Sequence, residues 1–369
     1  SYVTKMAGFL PMNPSAVNRI DRKPLSLSHF AMTAMRSLLC AALAALVMAP
    51  AARADKLPLL VLGGPPASVS DALIHMVDSG ALADVAERVE FLPWRDPDQL
   101  RAMALGKKAD VLAMPVNVAA NLYNRGVPLA LLNVSTWGIL WVVTRDANVH
   151  TLADLRGKEI AMPFRGDMPD LLFNLIAERE GIDVRKDIKL RYVASPIDAM
   201  QLLILRQVDN ALLAEPAVSM ALRKTGSFPV SVVAPTLYRG IDMQKEWGRA
   251  FDRPPRIPQA GIVVMGALRD NPKLAARIEQ EYAKSLQWCQ AHAKSCGESV
   301  AKRVPMISAE AAADAIGSSP LDAVPAAKAR PEVEFLFQQL LERSPGLVGG
   351  KLPDDGFYWS AAGTPQARR

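Results

Sequence analysis

The sequence predicts an α/β fold made of two similar lobes. Between residues 57 and 126, apolar segments of strand length alternate with segments of helical periodicity. The same order recurs between residues 157 and 226, about 100 positions later. An apolar segment long enough for two strands joins the two halves. Strands that alternate with helices are typical of parallel sheets, so each half predicts one three-layer α/β lobe.

The first half contains three strand–helix units in succession. The segment LPLLVLG is followed by a helical pattern that ends at Gly80, RVEFLPW precedes DPDQLRAMALG, and ADVLAMP precedes VNVAANLYNRG. Glycine after a helical pattern is typical of a helix end. Each unit therefore predicts a strand, a turn and a helix.

The second half repeats these units in the same order. GKEIAMPF leads through RGDMPD into a helix that ends at Gly181, DIKLRYVA precedes SPIDAMQLLILRQ, and VDNALLAEP precedes AVSMALRKTG. Gly181 lies 101 residues after Gly80, and Gly226 lies 100 residues after Gly126. Common ancestry of the halves explains this match, and so does the regular strand–helix alternation that α/β domains share. Both explanations predict two lobes.

The segments around and after the second half complete the predicted organisation. PLALLNVSTWGILWVVTRD predicts the two strands that join the halves, and GIVVMGALRDNP predicts a later strand and turn. The chain has helical patterns from Pro272 onwards. We therefore expect a return to the first lobe and a hinge of two crossing segments. The predicted parts are a leader and signal peptide at 1–54, lobe 1 at 55–140, lobe 2 at 141–234, and the return with the C-terminal helices at 235–369.

The leader carries most of the net charge of +6. Residues 1–54 hold six Lys or Arg and one acidic residue, so the rest holds 37 basic and 36 acidic residues. Arg36 precedes the apolar run SLLCAALAALVMAPAARA, which ends in the A-x-A pattern of a signal-peptide cleavage site. We predict export to the periplasm and a mature chain that begins near Asp55. The balanced remainder argues against nucleic-acid binding.

Cys289 and Cys296 are the two cysteines that follow the predicted cleavage site. Export to an oxidising compartment permits a disulfide between them. On one continuous helix their sulfurs would lie too far apart, so a disulfide requires the helix to end near His292. Zinc binding is the alternative, but one histidine between two cysteines is a weak ligand set.

Sequence motifs of common enzymes are absent. The chain contains no G-x-S-x-G, H-E-x-x-H or Walker A motif, and no G-x-G-x-x-G follows a predicted strand. The acidic residues show no spacing that pairs two of them for acid–base chemistry. These observations argue against the common hydrolase and metalloprotease classes, and we expect no enzyme activity, no metal and no cofactor.

The segments ADVLAMPVNVAANLYNRGVPLALLNVSTWGILWVVTRD, TLADLRGKEIAMP and ALLAEP carry a family resemblance. The chain resembles the substrate-binding proteins of bacterial ABC importers over about residues 57–290. The branch is that of the nitrate, sulfonate and taurine binders and their thiamine-pyrimidine relatives. The resemblance implies a type II periplasmic-binding-protein fold that closes over a small molecule. It also implies an ABC permease and its ATPase as partners, with membrane contact only through the permease.

The resemblance places the ligand in a cleft lined by the loops that follow the strands. The ten candidate ligand-binding residues are Ser68, Trp94, Met114, Asn117, Thr136, Trp137, Arg165, Asp167, Ser195 and Glu215. Structural roles are the alternatives: core packing for both tryptophans and the methionine, a surface charge for the arginine, and a helix-end residue for Glu215 next to Pro216.

The corner RGDMPD departs from the pattern of the anion-binding relatives. Asp167 and Pro169 stand where those relatives offer hydroxyls and free backbone N–H groups, and Glu215 adds a second acid. A neutral or cationic heteroaromatic solute therefore fits better than sulfonate or nitrate, while Arg165 is compatible with an acidic ligand.

Two other functions are compatible with the resemblance. One is the ligand-binding component of a periplasmic sensory system. The other is an enzyme like the thiamine-pyrimidine synthases. The resemblance implies that such an enzyme needs a cysteine-rich motif, and WCQAHAKSC does not match it.

Overall fold

Two β-sheets organise the described chain, and each contains the three strands of one of the two predicted halves. The computed structural model describes residues 56–360, so the predicted leader and its cleavage site lie outside the described residues. The described part contains eleven strands.

The first sheet belongs to lobe 1 and has the strand order β2-β1-β3-β10-β4-β11. Its strands are β1 Leu60–Gly64, β2 Val89–Pro93, β3 Val111–Pro115, β4 Leu129–Thr136, β10 Ala260–Met265 and β11 Leu321–Pro325. Strand β1 pairs in parallel with β2 and β3, whereas β10 runs antiparallel between β3 and β4. Strand β11 pairs antiparallel with β4 at the edge.

The second sheet belongs to lobe 2 and has the strand order β7-β6-β8-β5-β9. Its strands are β5 Leu140–Thr144, β6 Glu159–Pro163, β7 Lys189–Val193, β8 Asn210–Ala214 and β9 Tyr238–Asp242. Strand β6 pairs in parallel with β7 and β8, and β5 runs antiparallel between β8 and β9. Over five consecutive strands the two sheets therefore share one order, with an antiparallel strand in the fourth position, and β11 adds a second antiparallel strand at the edge of the first sheet. The predicted two-lobed α/β fold is confirmed.

Helices cover both sheets and begin where the sequence signals indicate. Asp96 and Ser195 are N-caps that accept a backbone N–H from the first helical turn, and each precedes a proline that needs no N–H partner. Gly80, Gly126 and Gly181 follow helices with a positive φ. The helices are α1 Asp71–Asp78, α2 Pro97–Leu105, α3 Val116–Asn124, α4 Met168–Arg179, α5 Val184–Asp187, α6 Pro196–Ile204, α7 Ala217–Gly226, α8 Met243–Phe251, α9 Pro272–Ala291, α10 Ala293–Arg303, α11 Ala309–Ser318 and α12 Ala326–Arg343.

The chain crosses between the lobes twice. It leaves lobe 1 through residues 137–139 and returns through residues 252–259. The two crossings are hydrogen-bonded, since Ile257 N–H donates to the Trp137 carbonyl at 2.8 Å. The sequence places the return at residue 235, which is too early, because β9 pairs with β5 in the second sheet. This short, half-buried edge strand lacks the apolar run by which the other strands are recognised.

Apolar side chains fill the space between sheet and helices in each lobe. Leu62 and Val111 on adjacent strands of lobe 1 are fully buried, as are Ala161 and Leu213 in lobe 2. Over residues 56–360, none of the helices combines the length and the apolar character that crossing a bilayer requires.

The predicted disulfide between Cys289 and Cys296 is present. Helix α9 ends at Ala291, His292 interrupts the helical geometry, and α10 begins at Ala293. This break brings the two Cα atoms to 5.1 Å, within the range that a disulfide spans. The interruption near His292 that a disulfide requires is therefore confirmed.

Replacing both cysteines with serine is expected to lower the free energy of unfolding by about 2 kcal/mol, because the cross-link closes a short loop in the unfolded chain. Urea unfolding with and without reductant measures this difference. Reductant should lower the stability of the wild-type protein and leave the double variant unchanged. Equal stability of the wild-type protein under both conditions would contradict the stabilising role.

Candidate functional site

A cavity of about 350 Å³ lies between the two lobes. Loops after β1, β2, β3 and β4 line it from lobe 1, and loops after β6, β7 and β8 line it from lobe 2. The second crossing contributes Gln259, and the turn between α10 and α11 contributes Met306. The cavity thus occupies the carboxyl ends of the strands, where α/β proteins generally bind ligands.

Six of the ten predicted residues line this cavity, and four do not. The lining residues are Trp94, Met114, Thr136, Asp167, Ser195 and Glu215. Ser68, Asn117, Trp137 and Arg165 lie outside it.

The four other residues have definite positions. Ser68 is buried in the turn before α1, and Asn117 is buried in α3. Trp137 is buried in the first crossing, where its indole N–H donates to the Asp322 carbonyl at 2.9 Å. The guanidinium of Arg165 lies 4.9 Å from the ring centroid of Tyr192. Sequence reasoning assigned whole loops to the cleft, whereas only one side of each helical turn or crossing faces it.

Trp94 forms part of the wall and is held rigidly. Its indole N–H donates to the Ala113 carbonyl at 3.2 Å, and the residue is buried. Met114 is fully buried on strand β3. These two residues combine core packing with an apolar cavity surface.

The carboxylate of Glu215 is satisfied by partners within the protein. Its Oε1 lies 2.7 Å from Arg239 Nη1, and its Oε2 accepts the backbone N–H of Ser219 at 3.0 Å. The hydroxyl of Ser318 donates to Oε1 at 3.4 Å. The residue is 1% exposed. This geometry favours the helix-end role of Glu215 at the start of α7 over a charge contact with a ligand.

Asp167 joins the two lobes. Its Oδ1 accepts a hydrogen bond from Arg101 Nη2 in lobe 1 at 2.7 Å. Burial raises the pKa of the Asp167 carboxyl, and the charge of Arg101 opposes that increase. The corner RGDMPD therefore provides an ion pair across the cleft.

Besides α3, which starts after Pro115 without a carboxylate in its first turn, four helices begin at the cavity, and each of these four starts combines a carboxylate with a proline. The helices are α2, α4, α6 and α7, with the pairs Asp96 and Pro97, Asp167 and Pro169, Asp198 and Pro196, and Glu215 and Pro216. Prolines remove backbone donors, and carboxylates offset the positive end of the helix dipole. These helix starts are therefore poorly suited to an anion.

Two of these carboxylates lack an ion-pair partner among the described residues. Asp96 Oδ1 accepts the backbone N–H of Gln99 at 2.9 Å, and Asp198 Oδ2 accepts the hydroxyl of Ser195 at 2.7 Å. They lie on opposite lobes, and Arg95 also lines the cavity. Asp96 is the N-cap before Pro97, and Asp198 lies in the first helical turn after the N-cap Ser195 and Pro196. Both arrangements are recognisable in the sequence.

Polar and strained groups also face the cavity. Thr136 is fully buried, and its Oγ1 has no hydrogen-bond partner among residues 56–360. Phe164 has a φ of 54°, which is unfavourable for a residue other than glycine. Unpaired buried hydroxyls and strained backbone concentrate at binding sites. Phe164 lies in the loop after β6, which the sequence analysis assigned to the cleft, whereas Gln259 was missed because the sequence offers no periodic signal for it.

No group of three or more His, Cys, Asp or Glu side chains within the described ranges is placed to hold a metal ion.

Comparisons with known proteins identify similar solved structures. No family model matches the chain, and no curated protein matches it. An ABC transporter structure from Parabacteroides distasonis is 22% identical with a TM-score of 0.66, covering 82% of this chain and 99% of its own. The periplasmic aliphatic sulphonate binding protein SsuA from Escherichia coli is 15% identical with a TM-score of 0.61, covering 82% and 92%.

The periplasmic nitrate-binding protein NrtA from Synechocystis PCC 6803 is 15% identical with a TM-score of 0.62, covering 78% of this chain and 82% of its own. At these identities the likeness concerns the fold. The chain has the type II periplasmic-binding-protein fold, as the resemblance implied.

Proposed function

We propose that this protein captures a small molecule between its two lobes outside the cytoplasm and delivers it to the permease of an ABC importer. The observation that carries the proposal is the cavity between the lobes, which loops from both lobes line. A solute in such a cavity makes its full set of contacts only when the lobes are closed. Binding therefore shifts the protein towards the closed form, which a permease can recognise.

The fold of the neighbouring structures supports a role in import. Their names describe an ABC transporter, a sulphonate-binding protein and a nitrate-binding protein. By analogy, the partners of this chain are a permease and its ATPase, and contact with the membrane occurs only through the permease. The predicted signal peptide and the disulfide agree with a periplasmic location. The proposal assigns no chemical reaction to the cavity.

The proposed solute is neutral or positively charged and has an apolar, flat body. The helix starts at the cavity carry carboxylates and prolines, which disfavours nitrate- or sulfonate-like anions. Trp94 and Phe164 provide aromatic surface, and apolar residues form most of the remaining wall. Thr136 Oγ1 and the side-chain amide of Gln259, whose Oε1 also accepts the backbone N–H of Ile139 at 3.3 Å, are the proposed hydrogen-bonding groups for a polar edge of the solute.

This function can be tested by identifying the small molecules that gentle denaturation releases from the purified protein. Mass spectrometry should detect a retained compound in the wild-type protein. Ala194 is exposed and lines the cavity, so Ala194→Trp should place a large side chain in the solute's space without disturbing the core. We expect this variant to retain at most about one tenth of the compound that the wild-type protein retains.

Ala153→Trp is the matched control, because Ala153 is exposed on lobe 2 and does not line the cavity. This variant should retain as much compound as the wild-type protein. Equal retention by both variants would place the compound elsewhere and contradict capture between the lobes.

A further inference from the structure

Helices α10 and α11 and the turn between them form a helical hairpin, residues 293–318, which lies outside both strand–helix repeats. Three contacts fix this hairpin to lobe 1. The disulfide from Cys296 ties it to Cys289 at the end of α9. Arg303 Nε donates to Asp78 Oδ1 of α1 at 2.7 Å. Ile74 of α1 shares an apolar cluster with the hairpin residues Val300, Val304, Ile307 and Ala312.

The same hairpin also contacts helix α7 of lobe 2. Arg223 forms two hydrogen bonds to the Asp314 carboxylate, with a distance of 2.8 Å from Nη2 to Oδ1 and a second bond from Nε to Oδ2. Met220 of α7 packs against the hairpin's apolar cluster. Ser318 donates to Glu215 at the start of α7. An ion pair, an apolar contact and a hydrogen bond therefore connect the hairpin to lobe 2.

The turn of the hairpin reaches the cavity. Met306 lines the cavity and is 39% exposed. A flexible apolar side chain at this position adapts to the shape of a bound molecule. The hairpin thus adds a third wall to a cavity that the two lobes otherwise enclose.

We propose that the 293–318 hairpin is a clasp: it remains attached to lobe 1, holds α7 of lobe 2 in the closed position, and places Met306 against the solute. The contact of Met306 with a solute rests on the proposed function, whereas the clasp rests only on contacts within the protein. Opening the lobes would move α7 away from the hairpin, separate Arg223 from Asp314 and expose Met220. The hairpin contacts consequently favour the closed form.

Distances between spin labels on the two lobes test the clasp without knowledge of the solute. Labels attached after Glu87→Cys and Arg185→Cys report the separation, since Glu87 is exposed on lobe 1 and Arg185 on lobe 2. Arg223→Gln and Asp314→Asn should each shift the ratio of short to long distances about two- to fivefold towards long, because the pair is partly exposed. The double variant should resemble the single variants, since either change removes the same pair.

The pair Arg277 and Asp84 is the matched control. It has the same two-bond geometry, at 3.1 and 3.2 Å, and joins two parts of lobe 1. Arg277→Gln and Asp84→Asn should leave the distances between the lobes unchanged. The clasp is overturned if the Arg223 and Asp314 variants behave like this control, or if the wild-type distances are all long.

Retention of the small molecule by Met306→Ser tests separately whether the hairpin contacts the solute through Met306. We expect about two- to tenfold less retained compound than in the wild-type protein, through lost apolar contact. Unchanged retention would remove Met306 from the site. If the wild-type protein retains no compound, the proposed function fails, while the label distances still decide whether the hairpin clasps lobe 2.

Discussion

Replacing Glu215 with glutamine is expected to lower the free energy of unfolding by about 2 to 3 kcal/mol. The carboxylate is buried against Arg239 and accepts the backbone N–H of Ser219, so an amide would leave the Arg239 charge without its partner. The side chain of Arg239 is 25% exposed, which keeps the expected loss below that of a fully buried pair. Chemical unfolding of the two proteins measures the difference.

A second measurement on Glu215→Gln separates the two interpretations of this residue. Because the protein itself satisfies the carboxylate, retention of the small molecule should be nearly unchanged at a temperature where the variant is folded. Glu178→Gln is the control. The side chain of Glu178 is 49% exposed and pairs with Arg343, so its replacement should lower the free energy of unfolding by less than about 1 kcal/mol. Normal stability together with lost retention would instead assign Glu215 to the solute.

Replacing Glu279 with glutamine is expected to make the protein more stable at alkaline pH. Glu279 of α9 is buried and accepts a hydrogen bond from Asn133 Nδ2 at 2.7 Å. Burial raises the pKa of its carboxyl from 4.5 to about 7, and the hydrogen bond from Asn133 partly opposes this increase. The raised pKa means that folding favours the protonated form.

The sign of the pH dependence follows from that preference. The contribution of protonated Glu279 to stability is complete below pH 4.5 and is lost as the pH rises through about 7. Glutamine stays neutral, so the variant should match the wild-type protein at pH 4 and exceed it by about 3 kcal/mol at pH 8. Unfolding free energies at both pH values measure this, with Glu298→Gln on the exposed face of α10 as control. If the difference in unfolding free energy between Glu279→Gln and the wild-type protein does not change with pH, the folded state does not favour protonated Glu279.

Local sequence signals predicted much of the fold. The glycines at positions 80 and 181 end equivalent helices in the two halves, and a proline after Asp96 or Ser195 begins equivalent helices. These signals act over a few residues, so they are visible in a linear sequence. The break in the helix that the Cys289–Cys296 disulfide requires was predictable for the same reason.

Contacts between distant residues decided the details of the site. The partners of Glu215 include Arg239, which is on β9, and Ser318, which is on the hairpin. Such partners depend on the packing of the lobes, and sequence spacing does not reveal them. The position of Trp137 depends in the same way on Asp322. Met306 reaches the cavity through a hairpin that no repeat pattern connects to the cleft.

The closure of the lobes over a solute is the central claim, and the distance between labels at positions 87 and 185 tests it most directly. The labelled protein is stripped of small molecules by unfolding and refolding, and the fraction released from unlabelled protein is then added back. We expect the added fraction to shift the distances towards the short population in the wild-type protein and to have no effect on Ala194→Trp. Binding of the fraction without any change in the wild-type distances would contradict capture by closure.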